Sequence, residues 1–146
     1  MIEVKGNIWD YKKADFICIT TNGDVNRKNE AVMGRGVALQ AKQRYKHIAT
    51  ILASHITLYG NHVSLIIESE VYNNIISFPV KHHWYEKANL DLIRISAIEL
   101  LVLIKKYNSD IIFVLPKPGC GNGQLKWEEV KSVISFLPDN VHIIDL

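Results

Sequence analysis

Residues 111–124 read Ile111-Ile112-Phe113-Val114-Leu115-Pro116-Lys117-Pro118-Gly119-Cys120-Gly121-Asn122-Gly123-Gln124. Five apolar residues in a row, closed by proline, describe a strand that is apolar on both faces. Such a strand must be covered from above and below. One cover follows at once: Trp127, Val130, Val133, Ile134 and Leu137 recur at helical spacing over about 126–137, and Pro138 ends the run. Between strand and helix lie three glycines in five positions, Gly119, Gly121 and Gly123, where a single left-handed residue would suffice to turn the chain.

The same alternation extends along the chain. Short β-branched runs predict strands at about 2–8, 15–21, 62–68, 72–79, 110–115 and 141–145. Two further helices are predicted. The first, over 36–57, places Val37, Ala41, Ile48, Ile51, Leu52 and Ile56 on one face. The second, over 89–107, places Leu90, Ile93, Ala97, Leu100, Leu101 and Ile104, with Asn89 as N-cap. Strands alternating with helices make this an α/β chain: a mixed sheet of about six strands with helices on each side. No Ser, Gly or Pro linker and no repeat interrupts it, so residues 1–146 read as a single domain. Sheets of this kind take ligands beyond the carboxyl ends of their strands, which is where the glycine loops fall.

Composition narrows the class. With 146 residues, 48% of them hydrophobic and 22% charged, the chain can bury roughly two thirds of its unfolded surface and needs no disulfide or structural metal. The two cysteines, Cys18 in an apolar run and Cys120 between glycines, form neither a disulfide nor a zinc framework. The start Met-Ile-Glu-Val has no basic-then-apolar leader, and no apolar stretch approaches a membrane span, so the expectation is a cytoplasmic protein without a membrane partner. A net charge of +2 does not announce a nucleic-acid protein. Yet residues 27–46 hold six bases (Arg27, Lys28, Arg35, Lys42, Arg44, Lys46) against one acid, Glu30.

Three segments carry chemistry. Met33-Gly34-Arg35-Gly36-Val37-Ala38-Leu39-Gln40 joins the second strand to the first helix. Its glycines let a phosphate approach the backbone while the helix N-terminus points N–H groups at it, although a plain glycine turn explains the segment equally well. With Pro118 to Gly123 at the matching place after a neighbouring strand, two loops stand ready to grip the two halves of a diphosphate. The third segment is Phe78-Pro79-Val80-Lys81-His82-His83-Trp84. Lys81 there is either a solvated strand-end lysine or an amine made neutral by partial burial and nearby positive groups, able to attack an anomeric carbon. Adjacent His82 and His83 point apart on extended chain and make no metal site, and no cofactor is called for. Cys120 reads as a small residue whose backbone N–H matters; the competing reading is a nucleophile with a lowered thiol pKa.

Together these segments resemble the macro domain, the ADP-ribose-binding family with a three-layer α/β/α fold. The resemblance covers essentially the whole chain: Lys5-Gly6-Asn7-Ile8, Thr20-Thr21-Asn22, the Met33 to Gln40 loop, Phe78-Pro79-Val80-Lys81, and Gly119-Cys120-Gly121 ahead of Leu125-Lys126-Trp127. It is most similar to the branch holding the DNA ADP-ribosyl glycohydrolase antitoxins and the terminal ADP-ribose protein glycohydrolase of animals. The resemblance implies adenine near Asn7 and Ile8, Asn22 at the distal ribose, Gly34 to Ala38 at one phosphate and that ribose, Gly119 to Gly123 at the diphosphate, and Lys81 as the catalytic residue. It implies an ADP-ribosyl hydrolase acting on a nucleobase or other small acceptor. A non-catalytic ADP-ribose binder and an ADP-ribose 1″-phosphate phosphatase using His82 or His83 are the alternatives.

The sequence departs from the family in four places. Ile19 stands where many macro domains have a ribose-binding asparagine. Residues 23–32 are longer than the equivalent in the antitoxins, and their Asp24, Arg27 and Lys28 either contact substrate or cover the site. The animal enzyme's catalytic aspartate has its counterpart near Gly123, with no carboxylate within two residues. The chain stops at Leu146, so a separate toxin-neutralising domain is expected to be absent. Lys42 and Lys46, one helical turn apart on the first predicted helix, would share a face toward single-stranded DNA or other nucleic acid.

Overall fold

The computed structural model describes residues 1–71 and 73–146. Six strands, β1 (Ile2–Lys5), β2 (Phe16–Thr21), β3 (Ser64–Ile67), β4 (Asn74–Pro79), β5 (Phe113–Pro116) and β6 (Val141–Asp145), form one sheet in the order β1-β6-β5-β2-β4-β3. All neighbours pair in parallel except β3, which runs antiparallel to β4 at the edge. The helices are α1 (Gly36–Arg44), α2 (Ile48–Tyr59), α3 (Leu90–Ile104) and α4 (Trp127–Ile134). Tyr72, where the fourth strand was expected to begin, lies outside the described residues.

Side chains alternate across the sheet, as a two-sided strand demands. Phe16 and Cys18, Ile76 and Phe78, Phe113 and Leu115, and Val141 and Ile143 enter one core with Ile93, Ala97 and Leu100 of α3 and Val130 and Ile134 of α4. Ile17 and Ile19, Ile75, Val114 and Ile144 enter the other, under Val37 and Ala41 of α1 and Ile48 and Leu52 of α2. Each fully buried Val, Leu, Ile or Phe among them contributes about 1.5–3 kcal/mol. The result is the three-layer α/β/α arrangement. The two faces are reached differently: the connection out of β2 crosses one, while those out of β4 and β5 cross the other. A crevice therefore opens where β2 meets its neighbours at their carboxyl ends.

Two expectations are corrected here. The helix predicted over 36–57 is two helices, because Tyr45 turns extended (φ −122°, ψ 107°) and the chain restarts at Ile48. Periodicity misses this break: Ala41 and Ile48 are seven apart, which a continuous helix also satisfies, and no glycine or proline marks it. Lys46 consequently lies outside α1 and shares no helical face with Lys42. The first strand ends at Lys5 rather than at residue 8, since Gly6 takes φ +143° and Ile8–Asp10 form a 3-10 turn. The other ends shift by three residues or fewer. Among the described residues no helix is long and apolar enough to cross a membrane.

Candidate functional site

A cavity of about 580 Å³ lies over the carboxyl ends of β4, β2, β5 and β6. Its walls come from the Met33 to Ala38 loop, the Gly119 to Gly123 loop, Lys81 with Trp84, and the end of β6.

The first loop delivers the N-terminus of α1. Arg35 is the N-cap and makes no side-chain cap bond, no acid sits in the first turn, and the first backbone bond into the helix is Leu39 N to Arg35 O at 3.2 Å. The N–H groups of Gly36, Val37 and Ala38 have no acceptor among the described residues, so the positive end of the helix faces the cavity unneutralised. Gly36 has φ +57°, a conformation side chains resist.

The second loop is packed at two glycines and open at one. A Cβ on Gly123 would lie 2.5 Å from Gly119 O and 2.7 Å from Ala88 Cβ, whereas nothing lies within 4 Å of one built on Gly121. Carbonyls hold it from beneath: Ala88 N donates to Gly123 O at 3.0 Å and Leu125 N to Gly119 O at 2.9 Å. The N–H groups of Gly121, Asn122 and Gly123 have no acceptor among the described residues. Cys120 N donates to Lys117 O at 3.3 Å, closing the turn. Burial raises the Cys120 thiol's pKa, with Lys117 opposing, which is the reverse of what an activated nucleophile needs.

Lys81 follows β4 with only Val80 between them. Val80 N donates to Thr21 O at 2.9 Å and Asn89 N to Val80 O at 2.8 Å, so the residue before it is stitched on both sides. Asn61 Nδ2 donates to Lys81 O at 3.0 Å, and the Lys81 amine donates to Trp84 O at 3.4 Å. Among the described residues no carboxylate pairs with this amine. Neither His82 nor His83 lines the cavity. His83 Nδ1 instead meets Asp24 Oδ1 at 2.8 Å, and that bond raises its pKa.

Of the residues singled out above, Asn22, Met33, Gly34, Arg35, Gly36, Val37, Ala38, Lys81, Gly119, Cys120, Gly121, Asn122 and Gly123 come together on this cavity. Asn7, Ile8 and Pro118 do not line it. Asn7 Oδ1 accepts from Trp9 N at 2.9 Å, capping the 3-10 turn, Ile8 is buried under α1, and Pro118 is buried beneath its loop. Thr20, Trp84, Lys117 and Asp145 line the cavity without having been singled out as contacts. Trp84 and Lys117 lie within the quoted segments 78–84 and 111–124 and were legible there. Asp145, paired with Lys117 at 3.4 Å, is brought in by β6 lying next to β5, which no local pattern announces. Among the described residues no three His, Cys, Asp or Glu side chains converge as a metal site.

No protein-family model matches the chain. Over 139 residues it is 33% identical to the DNA ADP-ribosyl glycohydrolase of Mycobacterium tuberculosis, a match taking in 88% of this chain and 39% of that protein. The chain thus spans about two fifths of the length of this relative. Among solved structures, the macrodomain of Mycobacterium tuberculosis DarG superposes with a TM-score of 0.78 at 27% identity, over 98% of this chain and 95% of the other. Thermosipho africanus DarTG, solved in complex with ADP-ribose, has the same fold: TM-score 0.73 at 18% identity, over 99% of this chain and 41% of that one. The fold is that of a macro domain. Within that class the chain belongs to the DarG-like branch.

Proposed function

We propose that this macro domain is an ADP-ribosyl hydrolase that holds ADP-ribose in the cavity and, through Lys81, frees it from a nucleobase of DNA or another small acceptor. The observation that carries the reading is that Lys81 lines the same cavity as the uncapped N-terminus of α1 and the unpaired N–H groups of the second glycine loop. Four strand ends spaced at about 4.8 Å set out roughly 14 Å of site, the reach of an extended nucleoside diphosphate sugar. Laid along the strand order, the distal ribose falls by Lys81 and Asn22, and the diphosphate between the two loops. Adenine falls at the β6 end beside Lys117 and Asp145. Asn7 and Ile8 follow closely on Lys5, the register partner of Asp145.

A diphosphate suits these walls. Backbone N–H groups and a helix end bind anions without formal charges, which reconciles a net charge of +2 with an anionic ligand. Once the sugar is fixed, the Lys81 amine attacks the anomeric carbon. The bond to the acceptor breaks with its electron pair, the proton lost from the amine goes to the departing acceptor, and water then releases ADP-ribose and restores the lysine. Arg35 on the cavity wall and exposed Arg27 and Lys28 offer charge to a single-stranded DNA backbone on its way in. The reading goes with a protein that works in the cytoplasm.

The test is incubation with ADP-ribosylated single-stranded DNA, wild type beside Lys81→Ala. Release by the wild type and loss in the variant is the expected result. Equal release by both removes Lys81 from the chemistry, and binding of ADP-ribose with no release by either leaves a binding module.

A further inference from the structure

Residues 23–32, the insert between β2 and α1, are built rather than draped. Val25 and Ala31 form a bridge, Asn26 N donates to Glu30 O at 2.9 Å, and Asn26 Oδ1 accepts from Lys28 N at 2.9 Å and Glu30 N at 3.1 Å. Ala31 N then fastens the unit to α2 through Ala49 O at 2.9 Å. Asp24 sits at the base of this unit with its backbone fixed on both sides: its N–H donates to Asn22 Oδ1 at 2.9 Å, and its carbonyl accepts from Val32 N at 3.0 Å.

Its side chain reaches across to the segment that follows β4. Oδ1 takes His83 Nδ1 at 2.8 Å and Oδ2 takes the Trp84 backbone N–H at 2.8 Å, so both carboxylate oxygens are committed to one strap. The Asp24 side chain is only 22% exposed, while its partner His83 is about half exposed at 51%. Next door, Gly23 N donates to His82 O at 3.1 Å. The same Trp84 that Asp24 fixes presents its carbonyl to the Lys81 amine and lines the cavity.

We infer that Asp24 is a positioning residue for Lys81: by holding Trp84 and His83 it keeps the 81–84 strap in the arrangement that leaves the lysine amine on the cavity wall. The inference rests on the hydrolase reading for its catalytic consequence, but not for its geometry. A carboxylate suits the task because each oxygen accepts a separate bond, both assisted by its negative charge, and the one to His83 becomes an ion pair when the imidazole is protonated. Alanine removes both acceptors. Asparagine keeps one, on the same stem.

Two readouts test it. In protein carrying ¹³C-dimethylated lysines, with the Lys81 signal assigned through Lys81→Arg, Asp24→Ala should move that signal to the envelope of freely solvated lysines, and Asp24→Asn should move it part of the way. In the release assay, kcat should fall about ten- to a hundredfold in Asp24→Ala and less in Asp24→Asn, while the Kd for free ADP-ribose stays within about threefold. An unmoved Lys81 signal, an unchanged kcat, or a Kd that worsens in step with kcat/KM overturns the inference. If the wild type releases nothing, the hydrolase reading falls, and the Lys81 signal alone decides whether Asp24 positions the lysine.

Discussion

Gly36 and Asn122 meet across the cavity: a Cβ on Gly36 would lie 3.2 Å from Asn122 Nδ2. The two glycine loops, which leave opposite faces of the sheet, are thereby in contact at their tips. Gly36→Ala should act twice, by forcing a side chain into φ +57° at a cost of about 1–2 kcal/mol and by displacing Asn122. We expect a Tm lower by several degrees and ADP-ribose binding weakened about tenfold, read by calorimetry. Unchanged affinity would show that the loops act independently.

Gly121 and Gly123 should separate packing from ligand access. Open space surrounds a Cβ at position 121, so Gly121→Ala should leave stability within about 0.5 kcal/mol while the new methyl group intrudes on the diphosphate and weakens binding. At 123 the Cβ would collide with Gly119 O at 2.5 Å, so Gly123→Asp should destabilise by about 1–3 kcal/mol or more in a denaturant titration. A stable, active Gly123→Asp protein would refute the packing argument.

The thiols should be quiet. Cys18 is fully buried, and burial pushes its thiol far above the ordinary range; Cys120 is raised by the same cause. At pH 7 iodoacetamide should modify Cys120 slowly and reach Cys18 only on unfolding. Cys120→Ala should keep full release activity. Rapid alkylation of Cys120, blocked by ADP-ribose, would revive the nucleophile.

Two histidines should titrate in opposite directions. Asp24 raises His83 first through its hydrogen bond, with Glu86 assisting. His142, beside Tyr11, is lowered first by burial and then by Lys13 and the N-terminal amine. A raised folded pKa contributes stability that is fully present below the ordinary value near 6.5 and lost as pH rises through the raised one. For His142 the sign reverses: stability is fully present above the ordinary value near 6.5 and lost as pH falls through the lowered folded value, because in that window the unfolded chain binds the proton more readily. Histidine ring signals followed by NMR should give a midpoint above 6.5 for His83 and below it for His142, and Asp24→Asn should bring the first down.

Much of this was written in the chain. Residues 111–115 are apolar on both faces, so a covered sheet was required, and glycines spaced 119, 121 and 123 before a helix marked where a ligand would sit. The Phe78 to Trp84 segment put Lys81 at a strand end by its own pattern. These features are legible because hydrophobic period and glycine content are local properties.

What tertiary structure decided is which local pieces meet. The break at Tyr45 has no breaker residue and arises from packing, and with it went the shared face of Lys42 and Lys46. Asp145 reaches the cavity only because β6 lies beside β5. Asp24 reads in sequence as one more loop acid, and becomes a clamp only when β2 pairs with β4 and carries it to within 2.8 Å of His83 and Trp84, residues 59 and 60 positions away. Sequence pattern specifies how each segment folds; the sheet's strand order, fixed by burying both of its faces at once, specifies which segments share a site.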